Sequence, residues 1–395
     1  MIPVEEAETP VTEEFGPQDG VIEEARERQR RRRARLTLAL LALAAVSFAV
    51  VWAGDSGARR ASLPVRLSSS PRWLSGRPLT TTTHLRLVTS GTGAADMVDV
   101  DSDTVRVLTA LGAGRGHSLY PLARLGDRAL AVVTRELCRD CTTTVQTEFL
   151  VSADGSVRRL ARLALTRHEE ALQAHSSTAD WLERWPHRGP CTLRLVPGER
   201  AAVRVPCGAL VAATAQGVWV VNGDVHMLID PLSGRVRERL DTADELTFLP
   251  GDLALESTPG PEPTDLALLD LATGARRALR WPSILSWDYS RVLPEPHGPL
   301  VAIEFASPWG RGTVLAADVW VLDTRTGRFS HVPRFPILED LKSSNIAWTD
   351  DDRLVVVAQG GGRTVLGLWR PGQSTLAVRP LPAVARYWEF VPLTS

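Results

Sequence analysis

Val319-Trp320-Val321-Leu322-Asp323-Thr324-Arg325-Thr326-Gly327-Arg328-Phe329 reads as an apolar strand, a tight turn and a second strand. A Thr-Gly step after a strand ending in aspartate supplies the turn chemistry. The same unit recurs at Val98–Val105, Phe149–Val157, Leu193–Val203, Met227–Val236, Leu266–Arg276 and Leu366–Leu376. Asp-Gly, Pro-Gly or Ser-Gly marks most of these turns. Successive turns lie about 36 to 53 residues apart, close to the length of a propeller blade.

Further apolar strands precede many of these hairpins, as at Ala129–Thr134, Pro299–Phe305 and Leu354–Ala358. Tryptophan marks an earlier strand at Ser286-Trp287-Asp288 and Ala347-Trp348-Thr349. Strand, turn, strand, turn and hairpin make a four-stranded sheet that cannot bury both faces alone. Stacking such sheets around an axis solves the problem, so the expected fold is all-β, a β-propeller. Trp73–Ser395 divides into seven blades of about 46 residues, and six blades also fit. Tyr387–Val391 has no blade following it, and is expected to complete the first blade and close the ring.

Residues 166–190 interrupt the pattern. Arg167–His175 is helix-like, and a second short segment surrounds Trp181–Trp185. The expectation is an insertion between blades, on one rim.

Ahead of the repeats, Leu36–Ala53 has no charge and no proline. As a helix it spans roughly 27 Å, close to the hydrocarbon thickness. Arg26, Arg28, Arg30, Arg31, Arg32, Arg33 and Arg35 crowd its N-terminal side. Positive charge stays inside, so the expected topology is a single-pass cell-membrane protein with a cytoplasmic N-terminus. Residues 1–35 form an acidic then arginine-rich disordered tail, 36–53 the membrane helix, 54–72 a linker, and 73–395 the extracytoplasmic propeller. A cleaved signal peptide ending near Val51-Trp52-Ala53 is the alternative. Lys342 is the only lysine, a bias that points to a GC-rich bacterial genome. A net charge of −1 gives no general pull toward nucleic acid.

Ala347-Trp348-Thr349-Asp350-Asp351-Asp352-Arg353-Leu354-Val355-Val356 resembles the blade signature of TolB-like and WD40-like propellers. There a tryptophan strand enters an aspartate-rich turn and then an apolar strand. Asp350-Asp351-Asp352 replaces the usual Pro-Asp-Gly turn. The resemblance implies the fold and little about activity, because propellers host binding, scaffolding and catalysis alike.

Four cysteines in an exported domain suggest two disulfides. Folding the Leu193–Val205 hairpin about Glu199 sets Leu195 opposite Val203, Leu193 opposite Val205 and Cys191 opposite Cys207. That register predicts a cross-strand disulfide between Cys191 and Cys207. Cys138-Arg139-Asp140-Cys141 has a loop context, so a structural disulfide is expected there in preference to a redox or zinc site.

No catalytic, cofactor or metal residues are assigned. His168-Glu169-Glu170-Ala171-Leu172 lacks the second histidine of a zincin motif. Gly112–Ser118 lacks the lysine of a phosphate loop. Asp350-Asp351-Asp352 and the series Asp99, Asp101, Asp103 are weak calcium candidates. Trp219, Trp320, Trp369, Trp281, Trp287, Trp348 and Trp388 are expected to pack between blades, with a glycan platform as the alternative. The expected function is a non-catalytic module binding a protein or envelope ligand. The alternatives are an envelope enzyme with its site at the central channel, and a transmembrane signalling partner.

Overall fold

The computed structural model describes residues 73–394 apart from 91–94, 112–116, 137–142, 167–169, 176–179, 187–188, 197–200, 243, 258–265, 281, 283–290, 310–313 and 383–388. The fold is a seven-bladed β-propeller with no α-helix among the described residues. The proposed membrane segment, 36–53, lies outside the described residues, as does the Cys138–Cys141 pair. Among those described, no helix is long and apolar enough to cross a membrane.

Strands are lettered A to D from the axis outward. Blades 2 to 6 run A to D in chain order, beginning at His117, Glu170, Ala209, Glu245 and Arg291. Blade 7 comprises Ile337–Trp348, Leu354–Gly360, Arg363–Trp369 and Ala377–Pro380. In blade 1, strands B, C and D are Leu85–Ser90, Ala95–Asp99 and Thr104–Val107, and strand A is Phe390–Thr394 from the far end of the sequence. The closing strand is thus present, set slightly later than the expected Tyr387–Val391. Arg77–Pro78 adds a short fifth strand parallel to strand D of blade 7.

All seven sequence-marked hairpins are the C–D pairs of their blades. The side chains of Asp230, Asp270 and Asp323 accept hydrogen bonds from backbone N–H groups inside their turns. Gly234, Gly274 and Gly327 follow at φ near +70°, where a side chain is strained. In blade 1 the same place is taken by Asp103 at φ +55°, a residue type that tolerates this region.

Blades touch through apolar faces on both sides, which is why strands B read as continuous apolar runs. In blade 7, Leu354, Val356 and Ala358 pack toward blade 6, while Val355 and Val357 pack against Leu85, Leu87 and Val98 of blade 1. Burying one such side chain stabilises by about 1.5–3 kcal/mol. Polar clasps add to this at the periphery. Arg106 donates to the Asp154 carbonyl, and Arg277 to the carbonyls of Thr324 and Arg325. Arg379 pairs with Asp103 at 3.1 Å and donates to the Asp101 carbonyl. Each arginine lies on an outer strand and grips the C–D turn of the next blade.

Blade 3 corrects the expected insertion. Glu170–His175 and Asp180–Trp185 are its strands A and B, an antiparallel pair continuous with strand C at Cys191–Val196. Local helix propensity at Arg167–His175 gives way to the blade's need for two inner strands. The cysteine register also differs from expectation. Cys191 faces Val205 and Leu193 faces Val203, a shift of two residues, so Cys207 lies just beyond strand D. A shift of two preserves which face each residue uses. The Cys191–Cys207 disulfide therefore forms diagonally, with Cα atoms 5.1 Å apart.

Candidate functional site

The A–B and C–D turns share one face of the ring. On it, Asp350-Asp351-Asp352 forms the A–B turn of blade 7, and its carboxylates diverge. Asp350 reaches the innermost strands: Arg124 of blade 2 lies 2.6 Å from Oδ1, and the Thr394 hydroxyl of blade 1 donates to Oδ2 at 3.0 Å. One carboxylate thereby links three blades across the ring closure.

Asp351 turns into its own blade. It accepts from the Thr349 hydroxyl at 2.7 Å and pairs with Arg353 at 2.6 Å and Arg370 at 3.4 Å. The Arg353 Nε contact lacks hydrogen-bond alignment, so it acts through charge. Burial opposes ionisation of Asp351, but Arg353 and the Thr349 hydroxyl outweigh it and hold the pKa below the usual carboxylate range.

Asp352, at φ +58°, turns toward blade 6. Its side chain has no hydrogen-bond or ion-pair partner among the described residues, and Oδ1 is buried. Facing it is Glu295, in the A–B turn of blade 6 and only 8% exposed. The Glu295 carboxylate accepts one bond, from the Leu300 N–H at 3.2 Å. Burial first, then the Asp352 charge, raise the Glu295 pKa, against the Leu300 N–H and the nearby His297. These groups surround an open cavity of about 400 Å³ lined by Glu295, Leu300, Asp351, Asp352, Arg370 and Pro371.

The Asp350–Asp352 stretch was flagged in the sequence for metal binding. In the structure its carboxylates separate, and no cluster suited to a metal ion occurs among the described residues. Asp99, Asp101 and Asp103 also part company. Asp99 pairs with Arg86 at 3.2 Å, Asp101 accepts from the N–H groups of Thr83 and His84, and Asp103 pairs with Arg379. The side chains of His168 and His175 lie outside what is described, as do Trp281, Trp287 and Trp388. Trp219 stacks on Phe248 of blade 5 at 4.3 Å, and Trp348 donates to the Leu293 carbonyl of blade 6. Trp369 is buried in the same cluster as Trp348. Trp320 packs beside His331 at 4.4 Å and against the apolar cluster shared by blades 5 and 6.

Glu295 went unnoticed in the sequence. It stands in Pro294-Glu295-Pro296-His297-Gly298, which carries no motif, and only the fold brings it to Asp352.

A second buried carboxyl lies between blades 3 and 4. Glu183 is fully buried, and neither oxygen receives a well-formed hydrogen bond among the described residues. Burial raises its pKa to about 7, although the Trp185 side chain and the Gly208 N–H lie close enough to oppose the shift.

No family model matches the chain, and no curated protein matches it. Among solved structures it is similar to prolyl oligopeptidase B from Galerina marginata bound to a 35mer hydrolysis and macrocyclization substrate. Identity is 10% over 76% of this chain and 48% of that one, with a TM-score of 0.50. A second structure of that enzyme, bound to a 25mer macrocyclization substrate, covers 49% of its own chain at the same identity and TM-score. A protein from Lactobacillus plantarum aligns at 13% identity over 75% of this chain and 99% of that one, with a TM-score of 0.40. The chain thus spans about half the length of the peptidase it matches, and the likeness is one of fold.

Proposed function

We propose that this chain is a membrane-anchored, extracytoplasmic propeller that binds a protein partner on the face carrying the A–B and C–D turns. One observation carries the reading. At the junction of blades 6 and 7 an open cavity holds a carboxylate, Asp352, without a partner among the described residues. Such a group is costly unless something arrives to satisfy it. The anchor rests on Leu36–Ala53 and the arginines before it.

Photo-crosslinking of the full chain in its native membrane tests the choice of face. A crosslinking residue replacing Pro371 should capture a partner, whereas one replacing Gly361, in the B–C turn on the other face, should not. Capture from position 361 alone, or from neither, overturns the proposal. Protease added outside spheroplasts should remove the propeller and spare a tag on residues 1–25; loss of both refutes the topology.

An envelope enzyme is the second reading. It is favoured by the convergence of Glu295 and Asp352 from different blades, one with a raised pKa beside a charged neighbour. Turnover of envelope glycans or peptides that is abolished in Glu295→Gln would support it over the binding module.

A further inference from the structure

We infer that the cavity between blades 6 and 7 recognises a guanidinium group, an arginine side chain of the protein partner, between Glu295 and Asp352. This deepens the proposed function and rests on its assignment of the binding face.

Arg353 and Arg370 both engage Asp351, and Arg353 also donates to the Thr83 carbonyl. Glu295 and Asp352 face each other without a shared counter-ion among the described residues. Glu295 is nine-tenths buried and, among the described residues, accepts only from a backbone N–H. Asp352 Oδ1 is buried with no donor among the described residues. Two carboxyl groups from different blades therefore offer acceptors that nothing nearby fills.

A planar guanidinium suits this arrangement. It presents several donors in a fixed fork, able to serve both carboxylates at once. Its weak hydration also tolerates the apolar walls supplied by Leu300 and Pro371. A volume of about 400 Å³ is at the small end for ligand pockets and fits one side chain. A divalent metal is the poorer occupant, because no group of three acidic, histidine or cysteine side chains among the described residues is placed to hold one.

The charges facing Glu295 are those of Asp352 and His297, with Asp351 and Arg370 also lining the cavity. Raising the pH ionises Glu295, and that change strengthens cation binding.

The test is isothermal titration of the detergent-solubilised full chain with Nα-acetyl-arginine amide, and with its neutral isostere Nα-acetyl-citrulline amide. The arginine compound should bind and the citrulline compound should be at least tenfold weaker. Asp352→Asn and Glu295→Gln should each weaken arginine binding at least tenfold while leaving the melting transition cooperative. Affinity should rise between pH 4 and pH 7. Equal binding of both compounds, unchanged affinity in both variants, or displacement of the arginine compound by equimolar calcium chloride would each overturn the inference. The titration reads the cavity without the partner, so a failed crosslink at position 371 beside a positive titration removes the proposed function and leaves the site. A successful crosslink with a negative titration does the reverse.

Discussion

The seam between blades 3 and 4 and the seam between blades 6 and 7 both bury a carboxyl group, with opposite consequences. Glu183 is sealed from solvent beside the Cys191–Cys207 disulfide, where nothing can reach it. Glu295 is nearly as buried but borders an open cavity that a cation can enter. Burial without access is a standing cost to stability, whereas burial beside an opening is a capacity for recognition. The disulfide offsets the cost at the first seam. The second seam is tied by other means: the Trp348 indole donates to the Leu293 carbonyl, the Ser344 hydroxyl donates to Glu304, and Leu315 and Ala317 pair with Leu341 and Ile337 across it.

Breaking the disulfide is the harshest test of this contrast. Cys191→Ser with Cys207→Ser should lower stability by about 3 kcal/mol, from the entropy of a loop closed across a sequence separation of 16. Chemical denaturation of the full chain would measure it, and arginine-amide binding at the far seam should persist in the folded variant. A loss below 1 kcal/mol would mean that packing alone holds blade 3.

Glu183→Gln sharpens the comparison from the other side. The folded-state pKa is raised from 4.5 to about 7, so the native state binds the proton more tightly than the unfolded chain. Stability supplied by that proton is fully present below pH 4.5 and is lost as pH rises through 7. The glutamine variant should match the parent in acid and exceed it by about 2–3 kcal/mol at pH 8. Parallel stability curves across that range would show that Glu183 has a partner in solution.

The smallest expected effect is at the rim. Arg277→Ala removes donors to the Thr324 and Arg325 carbonyls and should cost about 0.5–1 kcal/mol. Faster amide exchange should then appear in the C–D turn of blade 6 and nowhere near blade 3.

The C–D hairpins were legible because their turns require particular residues, as Asp270 and Gly274 illustrate. Blade 3 was not, since Glu170, Ala171, Leu172 and Gln173 favour a helix in isolation and neighbouring strands override them. The alternation of Trp181 and Glu183 with Leu182 was the available clue. The disulfide partners were readable by parity, but its register was not, because a two-residue slip leaves the facing pattern unchanged. Arg77–Pro78 left no trace, being too short for periodicity. The candidate site was half visible. Asp350–Asp352 stood out as a run of charge, but its division among four blades and the approach of Glu295 depend on contacts distant in sequence.

Strand A of blade 1 comes from residues 390–394, some 300 positions after the strand it pairs with. During synthesis, Leu85–Ser90 therefore emerges long before its inner partner exists. Throughout that interval one backbone edge stays open to stray pairing, a hazard for any nascent β-sheet. Ring completion waits for the last strand, so a chain cut short before residue 390 would carry six finished sheets and one adhesive edge.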